Sequence, residues 1–104
     1  MTRGEIWWAR LPEPAGRRPV LLLSRGEAYD LLTAVIAAEI TTHRRPAPTY
    51  VPLSRRDGLD RPCAANLDAL HTVPVGLLAG RISALSDGRM AEVDEALRFL
   101  LGLD

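Results

Sequence analysis

Two arginines and a proline stand directly before the most apolar run of the sequence, in the segment GRRPVLLLS at residues 16–24. Because proline is tolerated at the first residue of a strand, the segment predicts a buried strand whose entrance carries Arg17 and Arg18. A guanidinium group presents a planar fork of N–H donors that matches the oxygens of a phosphate. Two such groups at the mouth of a core strand therefore indicate an anion site.

The next long apolar segment, LLTAVIAAEITT at residues 31–42, predicts a strand that pairs with the one before it. Its isoleucines, Ile36 and Ile40, recur at strand spacing and are expected to face the core. Glu39 and Thr41 then point the opposite way, toward solvent or a groove. Because a carboxylate repels phosphate, Glu39 is expected to pair with an arginine.

Hydroxyls, an imidazole and guanidiniums follow one another at the end of this strand. They belong to Thr41, Thr42, His43, Arg44 and Arg45. Such groups make most of the contacts that proteins form with nucleic-acid phosphates. Pairing of the two strands would aim Arg18 and Thr41 at a common point. A polar surface loop with solvated arginines explains the same residue types, so residue types alone leave the two interpretations open.

The composition is that of an ordinary globular protein, and it carries no excess of positive charge that would by itself indicate nucleic-acid binding. The 104 residues contain 13 cationic side chains, all of them arginine, against 13 acidic ones. A single cysteine, Cys63, excludes an internal disulfide, and with two histidines it predicts neither a metal site nor another cofactor. Without a long apolar run or a signal peptide, the sequence predicts a cytoplasmic protein that makes no membrane contact.

The remaining segments predict a mainly β fold with one C-terminal helix. Strands are expected at 4–11, 18–24, 31–42, 49–53, 63–74 (with a break after residue 70 left open) and 81–85. Ser86 is a typical N-cap for a helix over about 87–102. The apolar stripe of this helix comprises Met90, Val93, Leu97, Leu100 and Leu101. We therefore expect a single domain over residues 1–104, folded as a small, partly open β-barrel.

The order and spacing of these segments resemble the MazF/PemK family of toxins. RGEIWWARLP, RRPVLLLS and VIAAEITT resemble the first three strands of the family, and the similarity continues through ANLDALHTV, GRISALS and MAEVDEALRFLLGL. No single motif is specific, but their ordered combination covers nearly the whole chain. The resemblance implies an SH3-like barrel of the CcdB/MazF type with a C-terminal helix.

The same resemblance implies the toxin of a toxin–antitoxin system. Family members are homodimeric, sequence-selective endoribonucleases that cleave single-stranded mRNA without metal and are blocked by a cognate antitoxin. The catalytic arginine of the family falls on Arg18 and its catalytic threonine on Thr41. Attack of the ribose 2′-OH on phosphorus creates additional negative charge, which a guanidinium and a hydroxyl can stabilise. The general base stays open, with His43 and Glu39 as candidates.

Several flanking residues are expected to bind the RNA rather than to act on it. They are Arg17, Thr42, His43, Arg44 and Arg45. A groove built from these cations would attract carboxylates as well as phosphates, so the cognate antitoxin is expected to be acidic and to exclude RNA. Trp7 lies on the face opposite Ile6 and Trp8, which favours either a dimer interface or packing beneath the terminal helix.

Two alternative functions remain open. A CcdB-like toxin on the same barrel binds DNA gyrase and has no use for Arg18 and Thr41, but the ending RFLLGLD lacks the Trp-Gly-Ile type of terminus that such proteins show. The loop PEPAG at residues 12–16 is several residues shorter than is typical of the family, and Ala69 stands where the family often has glutamine. These departures keep an inactive RNA-binding relative as the second alternative.

Overall fold

The computed structural model describes all residues, 1–104, as a mainly antiparallel β fold with a C-terminal helix. The strands are β1 (Glu5–Arg10), β2 (Arg17–Leu22), β3 (Ala34–Thr41), β4 (Tyr50–Leu53), β5 (Cys63–Pro74) and β6 (Leu78–Ala84). The helices are α1 (Ala28–Leu31) and α2 (Asp87–Leu101), and 3₁₀ turns span Arg55–Asp57 and Val75–Leu77. Neither helix combines the length and the apolar character needed to cross a bilayer. The predicted fold class is confirmed.

The six strands form one sheet in the order β4-β5-β3-β2-β1-β6. The edge strands β4 and β6 do not pair with each other. They meet instead through the turn that follows β4, where the hydroxyl of Ser83 on β6 donates to the carbonyl oxygen of Asp57 at 2.7 Å. The sheet therefore curls without closing, which is the partly open barrel that the sequence predicts.

Both faces of the sheet bury apolar side chains, since side chains alternate across each strand. On one face Leu21 and Ile40 pack with Val93 of α2 in the first core cluster. On the opposite face Val20 and Ala37 belong to a second cluster, to which α2 contributes nothing. Burial on both sides explains why β2 carries an uninterrupted apolar run instead of an alternating one.

The third strand is shorter than predicted and only partly follows the expected alternation. Residues 31–42 predict one strand, but α1 ends at Leu31 and β3 begins three residues later. Leu31 and Leu32 are 80% and 57% exposed, so their apolar character does not mark core positions. The core position of Ile40 is confirmed, whereas that of Ile36 is wrong, because Ile36 belongs to neither cluster and is 41% exposed.

The fifth strand is continuous through residues 70 and 71, so the break left open after residue 70 does not occur, but a bulge lies a few residues earlier. Pairing with β3 shifts from Leu70 opposite Ala38 to Asn66 opposite Glu39, so that residues 67–69 of β5 have no partner on β3. A bulge bends the strand and increases its local twist. The sixth strand begins at Leu78, earlier than the predicted residue 81.

The terminal helix agrees closely with its prediction. The side chain of Ser86 accepts a hydrogen bond from the backbone N–H of Arg89 at 3.1 Å, as an N-cap does. The predicted stripe is confirmed except at Leu101, which is 57% exposed, while Ala96 is buried in the core without having been predicted. The confirmed members are Met90, Val93, Leu97 and Leu100.

Trp7 packs against the second cluster, on the face of the sheet opposite α2. Its indole N–H donates to a carboxylate oxygen of Glu5 at 3.2 Å, and the residue is half-buried. Packing beneath the terminal helix is therefore wrong, because that helix lies on the first cluster.

An ion pair fastens the turn after β4 to the terminal helix. The carboxylate of Asp57 accepts hydrogen bonds from Nε and Nη2 of Arg89 at 3.0 and 3.2 Å, and from the backbone N–H of Ser54 at 2.8 Å. The hydrogen bond to Asp57 is the largest cause that raises the pKa of Arg89. Gly58 follows at φ +85°, where a Cβ would lie 2.4 Å from Cβ of Ser83. The turn after β4 thus contacts both the edge strand β6, through Ser83, and the helix α2, through Arg89.

Candidate active site

The register of β2 against β3 brings the two predicted catalytic side chains together. Val20 pairs with Glu39 in an antiparallel ladder. Continuing this register by two residues places Arg18 opposite Thr41, and directly opposed residues share a face with Cβ atoms about 4.5–5.5 Å apart. The observed ladder ends at Val20 and Glu39, so this placement of Arg18 and Thr41 is an extension of the register just beyond the last paired residues.

A pocket of about 320 Å³ opens at this end of the sheet. Arg18 and Thr41 both line it, but alternation turns their side chains toward the face of the second cluster. Trp8, Ile40 and Leu59 give the pocket an apolar wall. The two predicted catalytic residues therefore lie at its rim, where the faces of the sheet meet at the strand ends.

The guanidinium of Arg18 is held along one edge. Its Nε–H donates to the carbonyl oxygen of Ala15 at 3.0 Å, and Oε1 of Glu39 lies 3.6 Å from the same nitrogen. The Arg18 side chain is 40% exposed, and its two Nη groups make no hydrogen bond within the protein. The Nη edge is therefore free to bind an anion in the bidentate geometry that phosphate favours.

Glu39 is engaged through both of its oxygens. Oε2 lies 2.6 Å from Nε2 of His71 on β5, while Oε1 faces Arg18. The side chain is 19% exposed. The predicted pairing of Glu39 with an arginine is confirmed, and the carboxylate lies between two basic groups.

Thr41 presents a hydroxyl whose proton is available. Its Oγ1 accepts a hydrogen bond from the backbone N–H of His43 at 3.0 Å. Because a hydroxyl can accept and donate at once, this bond leaves the O–H free to donate. Together with Arg18, Thr41 can therefore donate to the oxygens of one bound anion.

Two of the predicted RNA-binding residues line the pocket. Arg17 and Thr42 both contribute to its lining, and the guanidinium of Arg17 lies over the ring of Trp8, 4.1 Å from its centroid. This arrangement is a cation–π contact that leaves the guanidinium edges open. Both arginines line the pocket, but alternation turns Arg17 toward the face of Trp8 and the first cluster and Arg18 toward the face of the second cluster.

The other three predicted RNA-binding residues lie in the exposed loop beyond the pocket. His43, Arg44 and Arg45 do not contribute to the pocket lining, and Arg45 lies 6.0 Å from the ring centroid of Tyr50. Neither Arg44 nor Arg45 forms an ion pair with a carboxylate of the protein. The loop thus extends the cationic surface away from the strand ends.

Several lining residues were not predicted from the sequence, because the β4–β5 connection brings them to the pocket. Arg61 and Cys63 are distant in sequence from Arg18, and only the 3₁₀ turn and the start of β5 place them there. Burial raises the pKa of the Cys63 thiol, and the nearby carboxylates of Asp57 and Asp60 raise it further. A protonated thiol is a poor nucleophile, so Cys63 is a wall residue.

The chemistry available at the site is anion binding and charge stabilisation. No three histidine, cysteine, aspartate or glutamate side chains lie together in an arrangement that could hold a metal ion. Guanidinium and hydroxyl donors aimed at one point can stabilise negative charge as it develops on phosphate oxygens.

Sequence comparison relates the chain to a family of toxins. The family model described as PemK-like, MazF-like toxin of type II toxin–antitoxin systems matches residues 2–101. The chain is 40% identical over 96 residues to a protein of Mycobacterium tuberculosis named probable endoribonuclease MazF5, which covers 91% of this chain and 87% of that protein.

Solved structures share the fold over nearly the whole chain. The Mycobacterium tuberculosis toxin MazF-mt6 is similar at a TM-score of 0.89 and 34% identity, over 96% of this chain and 98% of that one. An endoribonuclease from Mycobacterial species, solved in complex with its cognate antitoxin, is similar at a TM-score of 0.87 and 26% identity, over 100% and 97% of the two chains.

Proposed function

This chain belongs to the PemK-like, MazF-like toxin family of type II toxin–antitoxin systems, and on that basis we propose that it is an endoribonuclease that cleaves single-stranded mRNA at selected sequences. The observation that supports the proposal is that Arg18 and Thr41, on the neighbouring strands β2 and β3, line the same pocket. A CcdB-like gyrase binder would not need this pair. Residues 1–104 would act as one toxin domain in the cytoplasm, where mRNA is found.

In the proposed reaction the ribose 2′-oxygen attacks the adjacent phosphorus. The P–O2′ bond forms as the P–O5′ bond breaks, the 2′-OH proton leaves, and the departing 5′-oxygen gains a proton. The products are a 2′,3′-cyclic phosphate and a 5′-OH. The intermediate phosphorane carries additional negative charge on its non-bridging oxygens, and donors in place before the reaction stabilise it. The Nη edge of Arg18 and the hydroxyl of Thr41 are those donors.

The proton transfers need groups other than Arg18, because a guanidinium remains protonated in proteins. Glu39 has both oxygens engaged, by Arg18 and by His71, so it is better placed to hold its neighbours than to take up a proton. His43 lies next to the hydroxyl of Thr41 through its backbone N–H and remains a candidate base.

The first prediction is that RNA cleavage does not depend on a metal ion. The attacking group is the 2′-OH of the RNA itself, and the charge is stabilised by guanidinium and hydroxyl donors, so EDTA is expected to leave the rate unchanged. The measurement incubates the purified protein with a long single-stranded RNA, with and without EDTA, and maps the cleavage sites. Activity that disappears in EDTA and returns with Mg²⁺ or Zn²⁺ would contradict the mechanism.

We also propose that the protein works as a homodimer. A barrel of this size offers a shallow surface, and several nucleotides are held more easily across two subunits. Four large apolar side chains near α1 and the second 3₁₀ turn are exposed, and the two segments are joined by the hydrogen bond from Val75 N–H to the carbonyl of Thr33. A second copy of the chain would bury exposed apolar side chains of this kind. The four are Leu31, Leu32, Ile36 and Leu77.

The proposed antitoxin is an acidic segment that folds over the cationic surface. Arg17, Arg44 and Arg45 have no carboxylate partner within the chain, so phosphates and carboxylates are both suitable ligands for them. An acidic chain that becomes ordered on binding could cover these residues together with the pocket. The antitoxin would then inhibit cleavage by excluding RNA.

The second prediction concerns the second copy of the chain and the antitoxin, and sedimentation tests each of them. The protein alone is expected to sediment as a dimer at tens of micromolar, and the cognate antitoxin is expected to displace a labelled RNA from it. A monomer at that concentration would overturn the dimer. A ternary complex of toxin, antitoxin and RNA would show that the antitoxin binds elsewhere.

A further inference from the structure

Arg18, Glu39 and His71 form a continuous chain of contacts across three neighbouring strands, β2, β3 and β5. Oε1 of Glu39 lies 3.6 Å from Nε of Arg18, and Oε2 lies 2.6 Å from Nε2 of His71. The position of Glu39 requires an explanation, because its negative carboxylate would repel the negative phosphate that Arg18 is proposed to bind. The explanation lies in which edge of the guanidinium the carboxylate contacts.

We propose that Glu39 is a positioning residue for Arg18 and that His71 in turn holds Glu39. This inference rests on the ribonuclease function proposed above. An arginine side chain is long and loses rotamer freedom when it is ordered. Here the Nε edge of Arg18 is held between the carbonyl of Ala15 and Oε1 of Glu39, so the Nη edge faces outward before any phosphate arrives. A donor that is already oriented has no reorganisation cost at the moment of reaction.

The sheet explains how His71 reaches Glu39. His71 pairs with Ala37, two residues before Glu39 on the same strand, so that the two side chains are diagonal neighbours on one face. The bulge in β5 begins directly beyond, at residues 67–69, so that Asn66 lies opposite Glu39. This diagonal register brings the imidazole within hydrogen-bond distance of Glu39.

Engagement of both carboxylate oxygens also limits the repulsion that phosphate would meet. Oε1 is directed to a guanidinium and Oε2 to an imidazole, and the side chain is only 19% exposed. The negative charge of Glu39 is thus directed into the protein, away from the free Nη edge of Arg18.

The test compares Glu39→Ala, Glu39→Gln, His71→Ala and His71→Gln under single-turnover conditions. Glu39→Ala is expected to slow cleavage at saturating RNA by about 10–100-fold, the size of effect that misplacing a reacting group produces, with RNA affinity changed by less than about threefold. His71→Ala is expected to slow cleavage less. Both glutamine variants keep a hydrogen-bonding group in place and are expected to recover part of the rate. Glu95→Gln removes a carboxylate paired with Arg98 on the surface of α2, and it is the matched control, expected to cleave normally.

A second readout follows the Arg18 side chain itself. The Nε–Hε group is hydrogen-bonded to Ala15, so its NMR signal should exchange slowly with water, and exchange should accelerate in His71→Ala. This measurement also applies if Glu39→Ala does not fold. Unchanged exchange in His71→Ala, normal cleavage by Glu39→Ala, or faster cleavage with tighter RNA binding in Glu39→Ala would each overturn the positioning role. Normal cleavage by Arg18→Ala would instead overturn the proposed function.

Discussion

Replacing Arg18 by alanine is expected to slow RNA cleavage by about 10²–10³-fold, as removal of a donor to a developing oxyanion does. Replacing it by lysine is expected to be nearly as damaging. Lysine keeps the charge, but it has neither the Nε–H that Ala15 and Glu39 hold nor the two-pronged edge that phosphate would bind. Single-turnover rates at saturating RNA measure the loss, and unfolding midpoints show that both variants are folded.

Arg17 provides the comparison, because it is the adjacent arginine on the opposite face of the sheet. Arg17→Ala is expected to weaken RNA binding and to reduce the slope of log affinity against log salt by about 1, with little change in the rate at saturation. An essential Arg17 together with a dispensable Arg18 would contradict the assignment. It would move the reaction from the rim to the pocket beside Trp8, where Arg17 lies.

Replacing Asp57 by alanine is expected to lower the free energy of unfolding by about 3 kcal/mol, the loss typical of breaking a buried ion pair from one side. The Asp57 side chain is 6% exposed and joins Arg89 of α2 to the turn after β4. Its loss leaves the guanidinium of Arg89 without its main partner and the backbone N–H of Ser54 without an acceptor. Urea unfolding at one fixed protein concentration measures the change, since dimerisation would couple to stability.

Glu95→Ala is the control for this stability prediction. Glu95 also pairs with an arginine, Arg98, but its side chain is 81% exposed, so its removal is expected to change the free energy of unfolding by less than about 0.5 kcal/mol. A loss below about 1 kcal/mol in Asp57→Ala would show that the turn does not depend on the ion pair.

The elements with strong local signals could be predicted from the sequence. Ser86 marks the start of α2, and helical spacing identifies its buried face. The Arg-Pro entrance of β2 and the Thr-Thr end of β3 place Arg18 and Thr41 on neighbouring strands, and both residues line one pocket. These features could be predicted because each depends on neighbouring residues in the sequence: a helix N-cap, the end of a strand, or the helical spacing of apolar side chains.

The features that could not be predicted depend on contacts between distant segments. Leu31 and Ile36 have the residue types of core positions, yet they are 80% and 41% exposed. The pocket wall at Cys63 is completed by the β4–β5 connection, and the contact of Glu39 with His71 depends on a strand pairing that includes a bulge. Residue types and spacing do not determine such a bulge, because the unpaired residues occupy no regular position in the pattern.

In the proposed reaction the RNA supplies its own nucleophile, and Arg18 and Thr41 stabilise the resulting charge. The most direct measurement uses a single-stranded RNA containing one mapped cleavage site, compared with the same RNA carrying a single 2′-deoxynucleotide on the 5′ side of that bond. The all-RNA substrate is expected to yield a 2′,3′-cyclic phosphate and a 5′-OH, while the deoxy-substituted bond is expected to stay intact although the RNA still binds. Cleavage of the deoxy-substituted bond at a comparable rate, or products that carry a 5′-phosphate, would contradict it.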